Sequence, residues 1–506
     1  MGSEPKGVVA AGHEVTADAA TEILADGGNA FDAVLAALVT ATVPEVVLAS
    51  IGGGGFMMAH IAERGETVLY DFFAQTPKRR RDPSELDFRA IHADFGPAVQ
   101  GFHIGAGATA TPGFVPGIFA VHRELCRLPM ARLFEPAIRA ARNGVPMSAF
   151  QAYLFTVIEP ILMASAGARA LFAPGGALLR AGETMANPAL ANTLEALAVE
   201  GERLFREGEV GHDIVRQSEE DGGHLTSHDL RAYEVCRRRP LWRRHRGGWI
   251  ALNPAPAASG VLIGFGLALA ARLAAGGRAI GAGELAAIMD RTNAVRADLG
   301  GAGDFDETVL AEHLRIVGGH APATRGTTHV SVIDADGNAA AATISNGEGN
   351  GLMVGEHGFM LNNMLGEEDL NPGGFHSWPE ATRLSSMMAP TIVREAEGGL
   401  LALGSGGSNR IRTAITQVLI NLLEREMPLG EAVSAPRLHL EKCGTLSLEA
   451  EMAGDEKAAL LAAYPAARVW PERNMFFGGV HVARRVPAGD LEGAGDPRRG
   501  GVVSVV

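Results

Sequence analysis

The amino-acid sequence predicts an α+β protein, and three observations carry that reading. Two β-hairpin patterns lie far apart, at 56–72 and 327–345, and a stretch rich in alanine and leucine between about 110 and 300 reads as mostly helical. Strands and helices follow no regular βαβ order, and no internal period of about 20–50 residues is present, which argues against solenoids and propellers. The 506 residues are 47% hydrophobic and 20% charged, an ordinary globular composition. Surface scaling gives a folded area of roughly 18,000 Å² against about 77,000 Å² for the open chain, so about three quarters of the surface can be buried.

The elements follow in order. Ala19, Ala20, Ile23 and Leu24 are spaced for a helix that Gly27-Gly28 stops. Asn29 can cap a second helix carrying Ala33, Val34, Ala37 and Leu38, which Pro44 breaks. Gly52-Gly53-Gly54-Gly55 then opens a hairpin, 56–61 and 67–72 joined through Arg64-Gly65, and the four glycines imply close backbone packing. In the second hairpin Asp336-Gly337 turns 327–334 back into 339–345. A short apolar strand at 400–403 enters the run Gly404-Ser405-Gly406-Gly407-Ser408, and Ile411, Ile415, Val418, Leu419 and Leu422 line one face of a helix capped by Ser408 or Asn409.

Charge and motif spacing narrow the chemistry. A net charge of −14 argues against general binding to nucleic acid or anionic membranes. Cys126, Cys236 and Cys443 have neither metal nor disulfide spacing, no signal or membrane segment is recognisable, and a cytoplasmic location is expected. Sixteen histidines form no metal motif, so no metal and no cofactor is expected. The arginines at 79–81 and 237–246 read as solvated loops. At 404–408 several backbone N–H groups and a helix dipole converge, which suits a carboxylate, a phosphate or a developing oxyanion. Neither a phosphate loop nor a Gly-x-Ser-x-Gly elbow fits there.

The run Gly326-Thr327-Thr328-His329-Val330-Ser331-Val332-Ile333-Asp334 resembles the autoprocessing segment of the γ-glutamyltranspeptidase family, members of the N-terminal-nucleophile hydrolases. Other landmarks resemble it in family order: Gly27-Gly28-Asn29, Ile51-Gly52-Gly53-Gly54, Thr111-Pro112-Gly113, Asn253-Pro254-Ala255-Pro256, Leu361-Asn362-Asn363, Leu384-Ser385-Ser386-Met387, Ala435-Pro436-Arg437 and Asp496-Pro497-Arg498. The resemblance implies a four-layer αββα sandwich built by two processed chains, 1–326 and 327–506. Thr327 would be the nucleophile, its freed α-amine the base, and Ser345 a hydroxyl that orients Thr327. Gly406 and Gly407 would stabilise the oxyanion, although the family's proline ahead of the glycine pair is absent, so the pair can shift by one residue. Ser385, Ser386, Asn346, Asn363 and Glu367 would bind the acyl donor.

The sequence departs from the family in the donor pocket. Phe73 stands where members carry an arginine that grips the donor α-carboxylate, and Met364 replaces the polar residue after Asn362-Asn363. Losing a charge-assisted carboxylate contact costs about 2–3 kcal/mol. Arg383, directly before Leu384-Ser385-Ser386, is the expected substitute cation. The expected activity is an amidohydrolase or acyltransferase acting through an acyl-enzyme on a γ-glutamyl compound held differently, or on an oxamate-like or glutaryl-type amide, with water or an amine as acceptor. An unprocessed binding relative is the alternative.

Overall fold

The computed structural model describes residues 5–94, 99–297, 326–371 and 373–506. Two antiparallel sheets face each other. The seven-stranded sheet runs in the order Val502–Val505, Gly7–Ala11, Thr328–Asp334, Ala339–Ser345, Gly54–Ile61, Glu66–Phe72 and Cys236–Arg238. The six-stranded sheet runs Leu491–Ala494, Gly479–Arg485, Leu400–Gly406, Thr391–Arg394, Gly248–Leu252 and Leu241–His245.

Strand alternation sorts the core into layers. Val330, Val332, Ala340, Ala342, Met57 and Ala59 pack with the helices Ala30–Ala41, Phe114–Leu125 and Met130–Asn143 on one side. Ile333, Ala339, Ala341, Phe56 and Met58 meet Ile392, Leu401, Leu403 and Val482 of the facing sheet. The helices Ser259–Ala275, Ala282–Ala297 and Asn409–Leu423 cover that second sheet. The result is the αββα sandwich.

The local signals act as their chemistry dictates. Asn29 accepts from the backbone of Phe31 and Asp32 while the Asp32 carboxylate accepts from Asn29 N, a reciprocal cap. The glycines at 52–55 are pressed on neighbouring backbone: a Cβ on Gly53 would lie 2.3 Å from the Ser345 carbonyl oxygen. That contact joins the first hairpin to the second.

Three expectations are corrected. The 404–406 segment is paired strand, with Gly404 opposite His481 and Gly406 opposite Gly479, because the glycines let the strand Leu400–Gly406 run on. The arginines at 237–246 lie mainly in the strands Cys236–Arg238 and Leu241–His245, where alternation turns Arg244 outward and buries His245. The helix-rich middle also holds a hairpin, Leu241–His245 with Gly248–Leu252. No helix among the described residues is long and apolar enough to cross a membrane.

Candidate active site

Thr327 enters the inner strand Thr328–Asp334 of the larger sheet and is 2% exposed. The neighbouring strand returns Ser345 beside it, and the Ser345 hydroxyl donates to the carbonyl oxygen of Gly326 at 2.6 Å. Gly347 N in turn donates to that hydroxyl oxygen at 3.0 Å. Ser345 thus engages the carbonyl directly upstream of Thr327, an atom that the expected bond to Thr327 itself did not include.

Further groups hold Thr327 from behind. Arg499, buried, donates to the Thr327 carbonyl oxygen at 3.1 Å. Thr328 faces the helical layer and donates to the buried carboxylate of Glu45 at 2.5 Å, and Thr16 donates to the other oxygen at 2.7 Å. Burial pushes the Glu45 carboxyl above its ordinary range, against those two hydrogen bonds and the charge of Arg499. His329 is enclosed between Thr343 and Ser331, each 2.8 Å from a ring nitrogen. Burial, reinforced by His481, holds its pKa well below the ordinary value, so the ring is neutral.

The glycine run lies against the same point. A Cβ on Gly406 would sit 2.2 Å from the Thr327 carbonyl oxygen and 2.8 Å from the Arg499 guanidinium, so this position admits only glycine. Gly407 takes φ +115°, and Ser408 takes φ +54° with ψ −127°, a conformation that costs a residue with a Cβ about 1–3 kcal/mol. Ser408 precedes the helix Asn409–Leu423 but makes no side-chain cap bond.

A small pocket opens beside Thr327. Of the expected residues, Thr327, Ser345, Phe73, Glu367 and Ser386 line it, as does Met364. Leu370, Met387, Met388, Ser408 and Ile411 complete the lining and were not singled out from sequence as pocket residues. Glu367 is the one charged side chain in that set.

The remaining expected residues lie elsewhere. Ser385 donates to the Pro256 carbonyl oxygen at 2.6 Å. Asn363 accepts from Glu348 N at 2.9 Å and donates to the His103 carbonyl, shaping the loop below the pocket. Asn346 is buried in the same loop, its carbonyl accepting from Gly349 N. Arg383 donates to the carbonyls of Phe73 and Glu234 and to the Tyr233 hydroxyl, and its guanidinium lies 4.6 Å from the Tyr233 ring centroid. Although burial opposes its charge, Tyr233 and Asp71 hold its pKa above the ordinary arginine value. Arg383 therefore braces the backbone of Phe73 and is absent from the pocket lining. The Phe73 ring stacks on Phe56 at 5.5 Å.

Among the described residues no group of three or more His, Cys, Asp or Glu side chains could hold a metal ion. Arg499 and Glu45 were missed from the sequence, whereas Ser408 was read there as a cap and as part of the 404–408 run rather than as pocket lining. Arg499 had a signal, since it directly follows Asp496-Pro497-Arg498.

The sequence pattern of the gamma-glutamyltranspeptidase family matches residues 16–314 and 286–506. The chain belongs to the γ-glutamyltranspeptidase family. Within that family it is 30% identical to a glutathione hydrolase proenzyme of Pseudomonas aeruginosa over 473 residues, covering 86% of this chain and 82% of the relative. It is 29% identical to an acylase ACY 1 proenzyme of a Pseudomonas species, over 90% of this chain and 86% of that one. The crystal structure of cephalosporin acylase from Bacillus halodurans superposes with a TM-score of 0.83 over 99% of this chain and 96% of that one, a likeness of fold at 21% identity. As a family member the chain is an N-terminal-nucleophile hydrolase, an enzyme that hydrolyses amides or transfers their acyl groups.

Proposed function

We propose that this protein cuts its own Gly326–Thr327 bond and then uses Thr327 to cleave small amides through an acyl-enzyme. Residues 1–326 and 327–506 would become two chains of one αββα unit. The observation that carries this reading is the 2.6 Å hydrogen bond from Ser345 to the Gly326 carbonyl, formed where Thr327 opens into the pocket. A donor on that oxygen stabilises the charge that develops when the Thr327 hydroxyl adds to the carbonyl carbon. Cleavage frees an α-amine with a pKa of about 7.7–8.0, suited to take the hydroxyl proton in later turnovers.

The acyl group of a substrate would take the place of Gly326, with its oxyanion against the 406–408 turn. Ser408 lines the pocket while Gly406 lies behind the Thr327 carbonyl, which favours Gly407 and Ser408 as the N–H pair, one residue on from the glycine pair read in the sequence. The donor subsite is walled by Phe73, Met364, Leu370 and Met388, with Ser386 and Glu367 as polar groups. With Arg383 committed to backbone, this supports a donor without an α-carboxylate. A 4-aminobutyryl amide fits that description, whereas a glutaryl amide keeps the carboxylate and drops the amine. Ordinary γ-glutamyl compounds are then poor donors, and water is the favoured acceptor. The three cysteines are free thiols, which supports a cytoplasmic location.

Incubation of purified protein, with intact mass, N-terminal sequencing and amine release from acyl p-nitroanilides, tests this reading. A second chain beginning at Thr327 together with amide hydrolysis is expected. A full-length, inactive chain would return the protein to the unprocessed binding alternative.

A further inference from the structure

Self-cleavage asks more of Gly326 than a polarised oxygen, because the whole residue must be held still while the Thr327 hydroxyl approaches. The structure holds it at both ends. Ser345 takes the carbonyl oxygen, and the backbone N–H of Gly326 donates to Glu348 Oε1 at 3.0 Å. Glu348 is itself fixed: it is 5% exposed, and its own backbone N–H donates to Asn363 Oδ1 at 2.9 Å. The loop that carries it turns through Gly347 at φ +64° and Gly349 at φ +94°. A Cβ on Gly347 would lie 2.1 Å from Asn363 Oδ1 and 2.6 Å from Glu367 Oε1, so the turn brings the Glu348 carboxylate under Gly326 only with glycine at 347.

We propose that Glu348 is a positioning residue for self-cleavage, accepting the Gly326 N–H so that the scissile carbonyl is presented to the Thr327 hydroxyl. This rests on the proposed cleavage at Gly326–Thr327. In that step Thr327 Oγ1 adds to the Gly326 carbonyl carbon, the carbon–nitrogen bond breaks, and the nitrogen takes the hydroxyl proton. The acyl group then rests on Thr327 as an ester until water releases the Gly326 carboxylate and restores the hydroxyl. Glu348 forms no covalent bond and carries no proton in this sequence; it fixes where the carbonyl stands.

Because the role is one of reach, the length of the side chain decides the outcome. Glutamine keeps both the length and an acceptor oxygen, whereas aspartate keeps the charge one methylene short. Rates of chain splitting, followed by intact mass after purification of the precursor, are compared for wild type, E348Q, E348D and E348A, with thermal melting as a control on folding. Misplacement by about 1 Å can cost about 10²-fold, so E348A and E348D are expected to split about 10–100-fold more slowly and E348Q within about threefold of wild type. Splitting of E348A at the wild-type rate overturns the proposal. So does fast E348D with slow E348Q, which would make the charge, not the reach, the operative property. If E348A does not fold, the Gln and Asp variants alone decide. A wild-type chain that never splits overturns the cleavage reading itself and this inference with it.

Discussion

The Ser345 hydroxyl lies 2.6 Å from the carbonyl oxygen of Gly326, the residue directly ahead of Thr327. In the proposed self-cleavage this donor would serve the Gly326–Thr327 bond before any substrate exists. Ser345→Ala leaves that oxygen without its side-chain donor, and loss of one such donor typically costs about 10²–10³-fold. Self-cleavage of Ser345→Ala is expected to slow by that order while Thr327→Ala does not split at all. Denaturing gels over time measure both, and a Thr327→Ala protein that still splits there would discard Thr327 as the nucleophile.

The glycine turn yields a paired prediction. Proline at 407 would be a poor probe of the oxyanion donors, because its φ near −65° conflicts with the +115° observed there and would damage the turn whatever the N–H does. Gly406→Ala is the sharper variant, since its Cβ would fall 2.2 Å from the Thr327 carbonyl oxygen. It is expected to stop cleavage. Ser408→Gly keeps the backbone N–H and relieves a positive φ, so it should raise stability by about 0.5–1 kcal/mol and keep turnover. Denaturant midpoints and p-nitroaniline release check the pair, and loss of turnover in a stabilised Ser408→Gly would show that the hydroxyl, not the backbone, is needed.

Buried histidines set the acid limit. Burial lowers the pKa of His13, His60, His224 and His481 to about 4 in each case. Asp496 N donates to His481 Nδ1 at 3.3 Å, a bond that exists only while that nitrogen is unprotonated. The unfolded chain binds these protons near pH 6.5 and the folded chain only near pH 4, so stability is complete above about 6.5 and falls as the pH drops through that window. Each ring contributes up to about 1.4 kcal/mol per pH unit. Urea midpoints at a series of pH values should decline below 6.5, and a flat profile down to pH 5 would mean that these rings are solvated.

Glu45 has the opposite sign. Its raised folded pKa means the folded chain holds the proton more tightly, so its contribution is lost as the pH rises through that value. Glutamine at 45 keeps an acceptor for Thr328, and its amide can donate to Thr16. Glu45→Gln should therefore exceed wild type in melting temperature at alkaline pH, with the gap closing below about pH 4.3, the ordinary glutamate value. A constant gap at all pH values would place the effect in packing instead.

What was legible in the sequence was whatever chain-local chemistry dictates. Asn29 caps the helix Ala30–Ala41 as its position predicts, and Asp336-Gly337 turned the hairpin that sets Ser345 beside Gly326. The glycine stretch 52–55 correctly announced close backbone approach. Illegible were contacts made across the fold. Nothing local to Arg499 says that it reaches the Thr327 carbonyl from 172 residues away, or that Thr328 faces Glu45. Arg383 shows the same limit in reverse: adjacency to Leu384-Ser385-Ser386 suggested the pocket, but Tyr233 and Asp71 draw the guanidinium under Phe73. The arginines at 237–246 misled because charge density resembles a loop, while at an edge strand alternation alone keeps such residues solvated.

The donor pocket follows from that displacement of Arg383. Phe73 presents a phenyl ring stacked on Phe56 where a carboxylate grip would be needed, and among the described residues no cation lines the pocket. A donor carboxylate would lie against Phe73, Met364 and Met388 without a charged partner, a burial that costs several kcal/mol unless it protonates. An ionised Glu367 on the same wall would add repulsion for an anion and attraction for an ammonium. With p-nitroanilides differing only in the acyl group, 4-aminobutyryl should match or exceed γ-glutamyl, and glutaryl should be the poorest. Phe73→Arg restores a cation on this wall and should move the preference toward γ-glutamyl. Values of kcat/KM for three donors on two proteins decide it. A wild-type preference for γ-glutamyl over 4-aminobutyryl by more than about tenfold, equivalent to about 1.4 kcal/mol, would mean that another cation reaches the donor and that the apolar wall does not set specificity.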